Sequence, residues 1–485
     1  MLRRLSSLFA LLVLSIASVA RAAPPDDIWM SVLLDGRKIG QMHTTRKADG
    51  TRVRTAQTMQ IEIERSGLKV GMSTSETDEE TLDGKPLRFE SRAKISGIES
   101  VQTGVIRADG KLETITEVGG AKQTRTLDWP QGALLAEGLR LAEEKHGLAP
   151  GTRYKTLAFQ TENLEAVQVD SKVGARETID LPGGRRELVR VEQTIDLGGS
   201  PTRTLSWVEP DFSVRKLLVP MMGYELTMLA CSKICADAPN QASDILVHTL
   251  LSSPRALTAD ERRKGIRILV SPTEANGEAL TFATTDEQQV VAAAGGKTEL
   301  RIAPIATSNV QPARESKPAA IDTQANDWLQ STAPEVAKLA KEGAGTATAP
   351  AAQMQNLEDF VRGFIRNKDL SVGYASALEV AKNPEGDCTE HAVLLAALGR
   401  ALGIPTRVVD GLVYIDAYAG KTDVFVPHAW AQAWVDGRWR SYDAALHGFD
   451  AGHIALSVGQ GDPWRFFAGF NTLGRVRVDS VEPLP

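Results

Sequence analysis

The segment GDCTEHAVLLAALGRALGIP, residues 386–405, constrains the fold of this chain more than any other stretch. Asp387 followed three residues later by Glu390 is an N-terminal capping pattern, and Gly403-Ile404-Pro405 is a stop signal. Between these ends nearly every residue is Ala, Leu or Val, so a helix here is apolar almost all round and belongs at the centre of its domain. Cys388 falls in the first helical turn. Unpaired backbone N–H groups and the positive end of the helix dipole favour a thiolate there, whereas the carboxylates of Asp387 and Glu390 oppose it.

A second constraint lies downstream, in PHAWAQAWVDGRWRSYD, residues 427–443. Asp436-Gly437 between two alternating runs predicts a hairpin with a two-residue type I′ turn. With Val435 opposite Arg438, Trp434 faces Trp439 and Trp430 faces Asp443. His428 shares that face, and Asp443 is its diagonal neighbour at roughly 7–8 Å along the backbone, within reach of an imidazole–carboxylate bond. A slip of one residue would turn the aspartate to the other face. An acid so placed fixes the tautomer and orientation of a catalytic histidine. A lone cysteine opening an apolar helix is more often a packing residue, but packing has no use for both His428 and Asp443 on one face.

These residues carry a family resemblance. G-D-C-T-E-H-A at 386–392, A-L-G-I-P-T-R at 401–407, H-A-W at 428–430 and D-G-x-W…D at 436–443 resemble the transglutaminase-like superfamily of papain-like cysteine enzymes. The resemblance covers about the last third of the chain. It implies Cys388 as nucleophile, His428 as base and Asp443 as the group that orients the base. It leaves the substrate open, because that superfamily includes crosslinking enzymes, proteases, amidases and members with no assigned reaction.

Length and composition bound the rest. A chain of 485 residues predicts two or three domains, and 42% hydrophobic with 24% charged residues is the balance of a globular protein. A net charge of -6 gives no reason to expect a nucleic-acid partner. Met-Leu-Arg-Arg, the apolar run 5–20 and Ala20-Arg21-Ala22 read as a signal peptide over 1–22, cleaved after Ala22, with an uncleaved anchor as the rival. The expected location is therefore periplasmic or secreted, with no spanning segment after cleavage. There disulfides persist, and Cys231 with Cys235 is the expected pair, in a loop because i and i+4 sulfurs on a regular helix are poorly placed. A redox or metal pair is the alternative. Cys388 remains as a free thiol.

The expected class is α+β: a large antiparallel β-rich domain over 27–243, a small mixed or β-rich module over 244–304, a linker over 305–326, and the papain-like domain over 327–485. Asp35-Gly36, Asp49-Gly50, Asp83-Gly84 and Asp109-Gly110 punctuate the first region as hairpin turns, and one amphipathic helix from Ala133 to His146-Gly147 interrupts it. Such a sheet suits an apolar ligand or peptide, and equally a folded spacer. Helices are expected at 256–264, 328–342 and 355–366.

Four of the seven histidines, His391, His428, His447 and His453, lie in the last hundred residues, yet no HExxH or paired C-x-x-C accompanies them, so no metal site is expected. No phosphate or dinucleotide loop appears, and no cofactor is expected. Trp430 and His391 are candidates to wall a substrate groove, core packing being the alternative for both. The expected function is a thiol enzyme acting on peptide or side-chain amides of the cell envelope through a thioester, with hydrolysis favoured over amine transfer. A non-catalytic envelope scaffold is the competing expectation.

Overall fold

The structure, a computed structural model, describes residues 27–484 except 66–67, 96–97, 197–200, 222–223, 242–249, 274–281, 306–314, 368–373 and 463–474. The expected signal segment and most of the first half of the expected linker lie outside the described residues. The chain divides into two compact units, one of Met1–Val118 with Lys122–Asp244 and one of Gly119–Ala121 with Ile245–Pro485.

The first unit is one sheet of 14 strands. Eight successive strands from Asp27–Leu34 to Ala121–Asp128 form one meander, and six from Arg153–Gln160 to Tyr224–Cys231 form another. Antiparallel pairing of Asp27–Leu34 with Tyr224–Cys231 makes the two meanders a single sheet, with Trp29 opposite Cys231 and Leu34 opposite Leu226. Local chemistry explains the short connections: Asp35 and Gly36 both have positive φ, 48° and 78°, as the hairpin turn requires. Strand Lys111–Val118 alternates strictly, with Leu112, Thr114, Thr116 and Val118 buried.

Among the described residues of this unit, one long helix spans Ala136–His146. It starts three residues later than the sequence suggests because Leu134 is held in extended form: its N–H donates to Leu157 O at 2.9 Å and its carbonyl accepts from Phe159 N at 2.9 Å. The helix has no local side-chain cap. Instead Glu80, from strand Leu68–Thr81, accepts the N–H groups of Glu137 (2.5 Å) and Gly138 (2.9 Å). The Asp83-Gly84 turn meets the same helix so closely that a Cβ on Gly84 would lie 2.6 Å from Gly138 Cα, so only glycine fits. Glu76, Asp78 and Glu80 share one buried strand face. Burial, reinforced by the charge of Glu162, pushes Asp78 up to about 7, and burial with the charge of Asp78 pushes Glu80 up to about 8.

Cys231 and Cys235 are bonded, with Cα atoms 5.9 Å apart. The setting differs from the expected loop: Cys231 ends a strand, Ser232 caps the short helix Lys233–Ala236, and Cys235 lies on that helix. Only one cysteine is helical, so the i, i+4 objection does not arise.

The second unit holds two sheets. One has the strand order Gln288–Ala292, Thr298–Ile302, Ile266–Pro272, Val476–Pro483, so strand Ile266–Pro272 pairs with a strand about two hundred residues later in the sequence. The other contains Leu251–Ser252, Lys421–Val435, Thr406–Tyr418 and His453–Gly459 in that order, with Arg438–Tyr442 also paired to Lys421–Val435. The apolar helix, Cys388–Ala401, packs against Lys421–Val435 and Thr406–Tyr418 on one side and against helices Pro334–Ala344, Pro350–Phe364 and Ala377–Lys382 on the other. Val393, Leu394, Leu395, Ala396, Ala397 and Leu398 are all fully buried, as its composition demands. Gly399 permits the close approach to the sheet, since a Cβ there would lie 2.5 Å from Thr406 Cγ2.

The surrounding helices differ from the expected spans. Pro334 and Pro350 occupy the first turns of theirs, where a missing N–H costs nothing, so these prolines mark starts and not breaks. Helix Ala377–Lys382 begins with a Ser376/Glu379 capping box that the sequence analysis passed over.

A carboxyl whose folded value lies above its usual range stays protonated in the native chain at pH values where the unfolded chain ionises. Its stabilisation is present below the unfolded value and is lost as pH rises through the folded one. On account of Asp78 and Glu80, the urea midpoint of the full chain is expected to fall between about pH 5 and about pH 8, and Glu80→Gln to flatten that slope. A midpoint that rises over this range in the wild type would contradict it.

Candidate active site

Cys388 occupies the first position of the buried helix and lies outside the disulfide, partly exposed where most of its helix is buried. The turn before it is tightly fixed. Asp387 Oδ1 accepts from Thr389 N (3.0 Å) and Thr389 Oγ1 (2.9 Å), and Glu390 Oε2 accepts from Asp387 N at 2.9 Å, completing the capping box. Glu390 also accepts from Ala375 N at 2.8 Å. Burial, reinforced by the charge of Asp387, pushes Glu390 up to about 8. At neutral pH it is mostly protonated, so one of the two charges expected to oppose a thiolate at Cys388 is largely removed.

His428 and Asp443 come together across the hairpin. The register has Val435 opposite Arg438, Trp434 opposite Trp439 and Ala431 opposite Tyr442, and Asp436 and Gly437 have φ of 52° and 78°. His428 Nε2 lies 2.9 Å from Asp443 Oδ2, with the two residues 5% and 0% exposed. With Nε2 engaged, Nδ1 is the nitrogen left for chemistry, on a strand against which the Cys388 helix packs.

Asp443 is held at every polar atom. Its Oδ1 accepts from Ala445 N (2.9 Å) and Leu446 N (3.2 Å), and its Oδ2 also accepts from His453 Nε2 at 3.1 Å. Its backbone N–H donates to Glu358 Oε1 at 2.6 Å, and its carbonyl accepts from Arg362 Nη2 at 3.3 Å. Burial alone would raise its carboxyl, but the two histidines outweigh this and hold it well below the usual carboxylate range. Two further N–H groups of strand Arg438–Tyr442 are met by side chains: Asp286 Oδ2 accepts from Trp439 N (2.8 Å) and Glu287 Oε2 from Ser441 N (2.9 Å).

The structure does not put the two groove candidates at a groove. Trp430 is 2% exposed, packed with Val409 and Ala455, and donates to Ser441 Oγ at 3.1 Å. His391 is 1% exposed, and its Nδ1 lies 2.6 Å from Asp387 O, one helical turn back. Both are interior residues because their elements are covered on the faces that carry them. Tyr374, which sequence reasoning missed, is buried, donates to Gly461 O at 3.1 Å, and has Cys388 among the groups that raise its hydroxyl after burial itself. A cavity of about 230 Å³ is lined by Glu287, Glu358, Arg362, Arg440, His447 and Phe449, among others, but not by Cys388 or His428.

Among the described residues, His428, Asp443 and His453 are the His/Cys/Asp/Glu group whose ligand atoms lie within 4.8 Å of one another, as a metal would need. The two hydrogen bonds onto Asp443 Oδ2 account for that geometry without an ion.

Over 72 residues the chain is 39% identical to an uncharacterized protein of Mycobacterium leprae, a match covering 14% of this chain and 25% of that one. The chain thus spans about a quarter of the length of this relative. Solved structures with some likeness include a candidate cysteine protease from Cytophaga hutchinsonii, at 16% identity, 46% of this chain, 85% of that one and a TM-score of 0.27. Another is a β-barrel-like protein of a domain of unknown function from Brucella abortus, at 15% identity, 42% and 95% coverage and a TM-score of 0.34. Residues 337–444 match the family model of the transglutaminase-like superfamily, and this segment, which contains Cys388, His428 and Asp443, gives the chain a transglutaminase-like domain.

Proposed function

We propose that this protein is an exported thiol enzyme that hydrolyses peptide or side-chain amides through Cys388, His428 and Asp443. The observation that carries the proposal is the buried 2.9 Å contact between His428 Nε2 and Asp443 Oδ2, with His428 on a strand against which the helix opened by Cys388 packs. It leaves Nδ1 as the proton carrier and puts a thiol where the helix favours its ionised form.

In the first step His428 Nδ1 takes the Cys388 proton, and the sulfur attacks the amide carbonyl carbon. In this step the Cys388 backbone N–H donates to the developing oxyanion, as a helix N-terminal donor can. The C–N bond breaks as His428 returns the proton to the leaving amine, and a thioester forms. Water then gives its proton to His428 and attacks the thioester. The C–S bond breaks, releasing a carboxylic acid and the Cys388 thiol. A primary amine in place of water would give transfer. The expected signal segment motivates the proposal of a periplasmic or secreted location and envelope peptides or proteins as substrates. N-terminal sequencing of the exported protein should begin at Ala23.

Cleavage of a fluorogenic peptide library is expected from the wild type and not from Cys388→Ala of equal stability. Incorporation of a fluorescent primary amine into casein faster than peptide cleavage would instead favour transfer, and equal cleavage by Cys388→Ala would sink the thiol mechanism. Asp443→Asn is expected to lower turnover by about 10²–10⁴-fold, the range of a general base that has lost its orientation, with a smaller change in KM. Wild-type turnover in a folded Asp443→Asn protein would remove the aspartate from the reaction.

A further inference from the structure

Asp443 Oδ2 is shared: His428 approaches it from one side and His453, at the start of strand His453–Gly459, from the other. Taking Cys388, His428 and Asp443 as the reacting set, we infer that His453 is a positioning residue of the reaction, which locks the Asp443 carboxylate in the orientation that fixes His428 and balances its charge. It acts through Asp443 and does not touch the amide.

The geometry of His453 is more than packing requires. Its side chain is 1% exposed, edge-on to Trp430 with ring centroids 5.1 Å apart and against Phe449 at 4.9 Å. Both ring nitrogens face oxygen. Nε2 lies 3.1 Å from Asp443 Oδ2, and Nδ1 lies 2.9 Å from Asp450 O and 3.3 Å from Asp450 Oδ1. The Asp450 N–H is also at 3.3 Å from Nδ1, farther than the carbonyl. A neutral imidazole that donates from Nε2 to Asp443 leaves Nδ1 to accept from the more distant Asp450 N–H, whereas an imidazolium donates both to Asp443 and to the nearer Asp450 carbonyl. The charged groups around it agree. Asp443 and Asp450 face it, Arg262 lies 3.5 Å from the far oxygen of Asp450, and His428 is the next ring at 5.7 Å. Burial pulls His453 down, but its bonds with the two aspartates outweigh burial and hold it up at about 9.

One consequence reaches the base: with two backbone N–H groups on Oδ1 and two imidazoles on Oδ2, the carboxylate has no freedom to rotate and holds the His428 ring in one orientation.

The test uses the full chain and iodoacetamide. Cys231 and Cys235 are bonded, so alkylation reports Cys388. Rates are compared at about pH 6, where an ordinary thiol is almost wholly protonated, and at about pH 9.5, where it is ionised without help. The wild type should keep a substantial part of its high-pH rate at pH 6. His453→Phe should lower the pH 6 to pH 9.5 ratio at least about tenfold while leaving the high-pH rate intact. His453→Gln, which keeps an N–H for Asp443, should recover part of the loss. Asp450→Asn, which leaves the buried ring in place, should lower the ratio less than His453→Phe does. If His453→Phe does not fold, the Gln and Asp450→Asn variants carry the test. An unchanged ratio in the folded variants, or an equal fall at both pH values, would overturn the role of His453 alone. An ordinary thiol profile in the wild type would overturn the proposed reaction and this inference with it.

Discussion

A carboxylate with no exposed surface, accepting four hydrogen bonds, holds the C-terminal unit's candidate site together. Placing a charge in the interior carries a penalty of several kcal/mol unless pairing and hydrogen bonding offset it. Asp443 meets both conditions: two backbone N–H groups of its own turn satisfy Oδ1, and two histidines from different strands satisfy Oδ2. The histidines need the carboxylate as much as it needs them. The shared atom therefore ties strand Lys421–Val435 to strand His453–Gly459, which are not neighbours in the sheet, through one point.

The strand leading to Asp443 is itself placed by acids from elsewhere. Trp439, Ser441 and Asp443 are alternate residues whose N–H groups would be left open at a sheet edge, and Asp286, Glu287 and Glu358 accept them. Side-chain carboxylates thus stand in for a missing strand. Burial pushes Glu287 and Glu358 up to about 7, so near neutral pH these acceptors lie close to their own titration while Asp443 remains ionised. The separation divides the roles: acids that only support the backbone can hold protons, and Asp443, which meets two histidines, stays ionised.

Local signals carried much of this into the sequence. Asp387 and Glu390 announced the helix start, and Asp436-Gly437 fixed a register in which His428 and Asp443 could meet only if they shared a face. The hairpin turns of the first region were legible for the same reason, since Asp-Gly pairs adopt positive φ locally. What stayed hidden was non-local. Nothing near Asp27–Leu34 indicates that it pairs with Tyr224–Cys231, and nothing near His453 indicates that it shares an oxygen with a histidine on another strand. Trp430 and His391 were ambiguous because an aromatic or imidazole beside a reactive residue can face a groove or the core, and only the covering elements decide. The prolines at 334 and 350 were legible as helix starts but resemble breakers when read without the first-turn rule.

The acids that cap backbone elsewhere in the chain follow one logic. Glu80 closes the N-terminus of Ala136–His146 from a neighbouring strand, and Glu390 ties the Ala375 N–H to the turn before Cys388. In each case a residue distant in sequence accepts backbone N–H groups, and burial keeps the acceptor protonated well above its ordinary range. Groups of this kind favour the folded chain at low pH and progressively less as pH rises through their folded values. His453, raised to about 9, follows the same direction, its contribution complete below the ordinary histidine range and lost through its folded value. Asp443, held low, has the opposite sign, its contribution present above the ordinary carboxylate range and lost as acid approaches its depressed value. The pair Asp443–His453 is therefore fully charged only between these limits, and within that window the His428 ring has a fixed partner.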